Sequence, residues 1–111
     1  MWHRDHRITG QVAADAVFPY SRDRLAYPDL LEQGFEPHKA RELWFWGSEE
    51  PNLRIDITDT FDLKVAALSC HKSQFDVNQQ MKTRIKEMAS MSAKGEKFEL
   101  AEAFHRIELR Y

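Results

Sequence analysis

Between residues 8 and 17 the apolar side chains Ile8, Val12, Ala13, Ala16 and Val17 recur at the spacing of one helical face, and Pro19 stops the repeat. With Gly10, Ala13 and Ala14 lacking bulk, such a helix can lie close against a sheet. Residues 20–37 instead scatter Ser21, Asp23, Pro28, Gly34 and Pro37 among Tyr27, Leu30, Leu31 and Phe35, which predicts a long surface excursion holding one short helix. Excursions of that length in compact domains often border sites.

Glu42-Leu43-Trp44-Phe45-Trp46, closed by Gly47-Ser48, reads as a mostly buried strand with Trp44 and Trp46 on one side, packed in a core. A turn at residues 49–52 follows. Leu53, Ile55 and Ile57 alternate with Arg54 and Asp56, so a second strand has one apolar and one polar side. Thr58 or Asp59 can cap the helix after it, with Asp62 in the first turn and a stripe of Phe61, Val65, Leu68 and Phe75 beside Leu63, Ala66 and Ala67. From Asp76 a further helix carries Val77, Met81, Ile85, Met88 and Met91 on one stripe, read as core filling, until Gly95 ends it. Residues 98–109 alternate at Phe98/Leu100 and again at Ile107/Leu109 but change phase near Ala101, and a final strand is expected there. The order helix, excursion, strand, strand, helix, helix, strand belongs to the α/β class, and no repeat, low-complexity tract or flexible linker divides it.

At 111 residues the chain has the size of one small domain, which on folding removes roughly 65% of its unfolded surface from water. Its 16 basic and 18 acidic side chains nearly cancel, leaving a formal charge of −2 with no block of five like charges. That balance argues against nucleic acid or an anionic membrane as partner. No run nears the ~20 apolar residues of a membrane span, and Met1-Trp2-His3-Arg4-Asp5-His6-Arg7 lacks the apolar run of a signal peptide, so a soluble, cytoplasmic protein is expected. Cys70, the single cysteine, sits in an apolar helical pattern where a buried, inert thiol with no catalytic role is expected.

The densest set of reactive side chains is His3-x-Asp5-His6, followed by Arg7 and Thr9-Gly10. One neutral imidazole can bind a divalent metal, a carboxylate can fix its tautomer, and a second imidazole can donate to developing negative charge. The same spacing also suits a solvated terminus rich in histidine. His38 and His105 read as structural. His71, on a helix beside Ser73-Gln74, reads either as structural or as bordering a site, and Arg7 either touches a substrate or pairs with an acid.

Four blocks stand in order along the chain: His3-Arg4-Asp5-His6-Arg7-x-Thr9-Gly10, Pro37-His38-Lys39-x-Arg41-Glu42-Leu43-Trp44-x-Trp46-Gly47-Ser48, Asp56-Ile57-Thr58-Asp59-Thr60-x-Asp62-Leu63-Lys64-x-Ala66-Ala67-Leu68, and His71-x-Ser73-Gln74. Together they strongly resemble the PIG-L/LmbE-like family of zinc-dependent N-deacetylases, over residues 2–104. The resemblance implies a Rossmann-like three-layer α/β/α fold, of which residues 1–111 form a C-terminal half, a partial LmbE-like deacetylase domain. It implies His6 as the zinc ligand, His3 as the imidazole that stabilises the tetrahedral oxyanion or protonates the leaving amine, and Asp5 as the carboxylate that orients an imidazole. In that family a His and an Asp from an Ala-His-Pro-Asp-Asp type motif complete the zinc site, and an Asp of the same motif is the general base. This sequence has no such motif, and Pro37-His38-Lys39 is not followed by the required carboxylates. A catalytic zinc normally takes three protein ligands and an open position, and the resemblance nominates one.

Two functions follow. One is a zinc-dependent de-N-acetylase acting on an N-acetylated amino sugar or similar small amide, present as a truncated chain inactive alone and completed by an N-terminal half. The alternative is a non-catalytic remnant or interaction module whose sheet edge and Ile8/Val12 face pair with another chain, a second copy included. Substrate-binding residues are not identifiable from the sequence.

Overall fold

In the computed structural model, which describes residues 3–74 and 76–110, the chain forms two units, Met1–Phe45 with Arg106–Tyr111, and Trp46–His105. Helices and a small sheet make it an α/β protein. The sheet has three strands in the order β1-β3-β2, with β1 at Glu42–Trp46, β2 at Leu53–Asp56 and β3 at Ala101–Glu108.

In the first unit, helix α1 spans Arg4–Asp15. It leaves through a wide turn over Ala16–Tyr20, where the Ser21 N–H donates to the Ala16 carbonyl at 2.8 Å and Phe18 is extended (φ −151°, ψ 124°). Extended backbone is what a residue before proline favours, so Pro19 ends the helix by acting on Phe18. The half-buried positions of α1 are Gly10 and Ala14, continued by Val17 in the turn, and a methyl group on Gly10 would lie 3.7 Å from the Phe45 ring. The close approach of the small residues Gly10 and Ala14 to a strand was expected; an inward face of Ile8 and Val12 was expected too and is not found. Ile8 and Val12 are exposed, because the closest approach falls to the smallest side chains and turns the branched ones outward. The excursion holds the one expected short helix, α2 at Pro28–Glu32, started by proline at its first position.

Strand β1 alternates as expected, with Trp44 and Trp46 on one side, yet that side faces outward and not into a core: they are 43% and 62% exposed. Leu43 and Phe45 hold the inward positions, and a strand has only two sides. The Trp44 indole N–H donates to Glu42 Oε2 at 2.7 Å. Beyond the strand ends, the Leu109 N–H donates to the Arg41 carbonyl at 2.9 Å.

In the second unit β2 runs antiparallel to β3, with Leu53 opposite Phe104, Arg54 opposite Ala103, Ile55 opposite Glu102 and Asp56 opposite Ala101. The ladder extends at both ends through Asn52 N–H to Phe104 O and Ile57 N–H to Leu100 O. The phase change near Ala101 is the beginning of β3. A single 3-10 turn at Thr58–Thr60 leads into α3 at Phe61–Ser69, and α4 follows at Gln79–Ser92. Ile57, Phe61, Ala89 and Leu100 form the core, with Ile55, Val65 and Ile85 packed on it.

Several local expectations shift here. Neither Thr58 nor Asp59 caps the approach to α3. Asp56 does, its Oδ1 accepting the Thr58 hydroxyl at 2.6 Å and the Thr58 N–H at 2.9 Å, since a carboxylate two residues ahead closes an Asx turn. Asn78, and not Asp76, opens α4 by accepting the Met81 N–H at 3.0 Å. Along α4 the buried side turns from Ile85 to Ala89, and Ala93 just past its end is also buried, leaving Met88 and Met91 63% and 77% exposed. Alanines let the helix approach Leu100 where methionines would hold it off. Cys70 is exposed: it falls at the end of α3, past the last half-buried position, Leu68. The Phe61, Val65, Leu68 stripe does face inward, while Phe75 lies outside the described residues. Among the described residues no helix is long and apolar enough to cross a membrane.

Candidate functional site

His3, Asp5 and His6 meet at the N-terminus of α1. His3 stands just before the helix with non-helical backbone (φ −58°, ψ 140°), and its carbonyl oxygen accepts the amides of His6 and Arg7 at 3.1 and 3.3 Å. The first amides of a helix have no partner within it. Here the His3 ring supplies one, its Nδ1 accepting the Asp5 N–H at 3.2 Å. A nitrogen that accepts a backbone N–H carries no proton, so the neutral ring holds its proton on Nε2, which points away as a donor. Residues three apart on a helix share a face, and the His3 and His6 rings lie 5.8 Å apart between centroids, tilted by 52°.

The Asp5 carboxylate lies in the first turn, where the helix dipole favours a negative charge. Arg4 Nε donates to its Oδ1 at 3.3 Å, and its Oδ2 is 3.9 Å from His3 Nδ1, beyond hydrogen-bond reach. The contact from Asp5 to His3 is therefore made by backbone, and the carboxylate turns to Arg4. Both His3 and Asp5 side chains are about two-thirds exposed, at 67% and 65%.

Among the described residues, no group of three or more His, Cys, Asp or Glu side chains is arranged to hold a metal ion. His3 Nδ1 is occupied by the Asp5 amide, and the Asp5 carboxylate is engaged by Arg4. These three residues alone do not fit a zinc ion, which takes three protein ligands at a catalytic site.

The remaining histidines lie elsewhere. His38 donates its backbone N–H to Ser21 O at 2.8 Å and accepts the Ser21 hydroxyl on its carbonyl at 3.1 Å, pinning the end of the excursion. His105 Nδ1 lies 2.7 Å from Glu50 O, the structural role expected of it. His71 is exposed in the turn after α3, where its backbone bonds Leu68 and Gln74. The Asp56 carboxyl is held below its usual range, first by the Thr58 hydroxyl and then by the Thr58 N–H.

A second feature is a cavity of about 510 Å³ within the first unit, bounded by the end of α1 and the excursion. Its lining alternates aromatic and turn residues without a period, and only the length of the excursion hinted at it.

No family model matches the chain. Over 73 residues it is 33% identical to a protein named diacetylchitobiose deacetylase from Thermococcus kodakarensis, an alignment that covers 66% of this chain and 27% of the relative. The likeness supports a deacetylase family. This chain spans about a quarter of the length of that relative.

Proposed function

We propose that the chain is the C-terminal portion of a PIG-L/LmbE-like N-deacetylase, a cytoplasmic hydrolase of the acetamide bond in an N-acetylated amino sugar or similar small amide. One observation carries the reading: the 33% identity to a deacetylase occurs in a chain whose His-x-Asp-His set is gathered at one helix N-terminus. On this reading the neutral His3 ring donates its Nε2 hydrogen bond to the oxygen that gains charge when the amide is attacked, the oxyanion-stabilising one of its two expected roles. His6 is the chain's own zinc ligand. Asp5 sets the His3 ring through its backbone amide. The other zinc ligands and the general base belong to residues outside this sequence, so the chain is inactive alone and takes a complementing N-terminal half as partner. A Rossmann-like parent accommodates the antiparallel β2–β3 pair, since doubly wound sheets often carry an antiparallel edge strand.

The test is a chimera of the Thermococcus relative in which its C-terminal portion is exchanged for this chain, with acetate release from diacetylchitobiose as readout. Activity that His6→Ala abolishes and His3→Asn lowers at least about 100-fold supports the proposal. A folded, zinc-loaded chimera without acetate release, or one indifferent to His6→Ala, overturns it.

A second reading, an interaction module without catalysis, draws on the exposure of Ile8 and Val12 on α1. A monodisperse monomer at high concentration argues against it; a dimer broken by Val12→Lys argues for it.

A further inference from the structure

The cavity of the first unit has the composition of a ligand site, and its size lies within the usual range for small molecules. Two tyrosines wall it, Tyr20 and Tyr27, with ring centroids 6.1 Å apart and planes tilted by 55°. Around this aromatic corner stand three carboxylates, Asp15, Asp23 and Glu36, against one guanidinium, Arg24. Glu36 is already neutralised, since Arg24 Nη1 donates to its Oε2 at 2.6 Å. Among the described residues Asp23 uses only Oδ1, which accepts the Leu25 N–H at 2.9 Å. Asp15 has no hydrogen bond or ion pair from its side chain among the described residues. The cavity thus has uncompensated negative charge beside two aromatic faces.

That combination selects among ligands. An anion meets net repulsion. A bare divalent cation needs several oxygens converging at one point, and no such group exists among the described residues. An organic cation with a flat or apolar body satisfies both parts of the lining, its charge facing Asp15 and Asp23 and its body the rings, where cation–π attraction adds to the ion pair. We propose that the cavity binds a small primary ammonium compound carrying a ring. It lies at the opposite end of α1 from the histidines, roughly 13 Å from His6 at 1.5 Å per residue, so it is a site separate from the reactive set. For a deacetylase this site tells the ammonium product from its neutral amide substrate, a link that rests on the function proposed above; the binding itself does not.

The experiment titrates the chain with benzylammonium and with its neutral analogue N-acetylbenzylamine, following backbone amides by NMR. The expected result is saturable shifts confined to residues 12–37, with the ammonium bound at least about tenfold more tightly than the amide. Asp15→Asn, at an exposed position where folding is not at stake, weakens the ammonium by about tenfold. Arg24→Gln frees Glu36 and tightens binding severalfold. Equal affinity for the two probes, shifts centred elsewhere, no saturation, or an Arg24→Gln chain that binds no better overturns the site. None of these readouts needs zinc or turnover, so the site can fail while the deacetylase reading stands, and the reverse.

Discussion

The two units use similar side chains to different ends. All the buried residues among those described, Ile57, Phe61, Ala89, Ala93, Leu100 and Ala101, lie in the second unit. In the first, Ile8, Val12, Phe18, Leu25 and Phe35 are as apolar, yet each is 48% or more exposed. The histidines of the candidate site and the aromatic cavity belong to that first, thinly packed unit. Hydrophobic content therefore does not decide where stability resides; closure of apolar groups around one another does. Sites drawn from the less stable parts of a fold are a common arrangement.

The largest effect that probes this contrast comes from paired truncations. Phe61→Ala should cost about 3 kcal/mol in urea unfolding, while Val12→Ala stays within about 0.5 kcal/mol. Hydrogen exchange should show the same ordering, with α3 and α4 amides slower than those of α1; equal protection would erase the distinction. Next comes Arg54, whose guanidinium ties β2 to the end of α4 by donating to Ser92 O at 2.9 Å and to Pro51 O at 3.3 Å. Its replacement by alanine should cost about 1–2 kcal/mol. Removing the α4 cap with Asn78→Ala should cost about 1 kcal/mol, with helicity by circular dichroism reporting the fraying.

A smaller effect follows from Asp56. Its carboxyl is held below the usual range by Thr58, so its contribution is present above the ordinary carboxylate range and is lost as pH falls through the lowered folded value. Melting temperatures measured down that window should fall more steeply for the parent than for Asp56→Asn. The smallest belongs to the exposed pair of Lys82 with Asp62, 3.0 Å apart; Asp62→Asn should change stability by under about 0.5 kcal/mol, still less in high salt.

Periodicity revealed the element order and the alternation of β1, because spacing alone encodes both. It did not reveal which side of β1 is covered, since Trp44 and Trp46 outrank Leu43 and Phe45 in bulk and still face outward. In α4 the eye follows large residues to Met88 and Met91, whereas close packing selects Ala89 and Ala93. At the candidate site the closeness of His3, Asp5 and His6 was legible as four consecutive residues, but their place at a helix N-terminus was not, because the apolar repeat begins only at Ile8 while α1 begins at Arg4. The hydrogen bond from the Asp5 amide to His3 was not, for it depends on ring rotation. Of the cavity only the length of the excursion was legible, because turn residues obey no repeat.

On the proposed function the ring of His3 joins two duties at opposite nitrogens. Nδ1 anchors the first amide of α1, and Nε2 is left to meet whatever approaches. Any replacement that removes the imidazole also loosens the start of the helix on which His6 is mounted, so alanine at this position confounds a chemical loss with a mechanical one. Asparagine, serine or aspartate can keep the anchor without the reactive proton, and the gap between such a variant and alanine measures how far the scaffold and the chemistry share a single side chain.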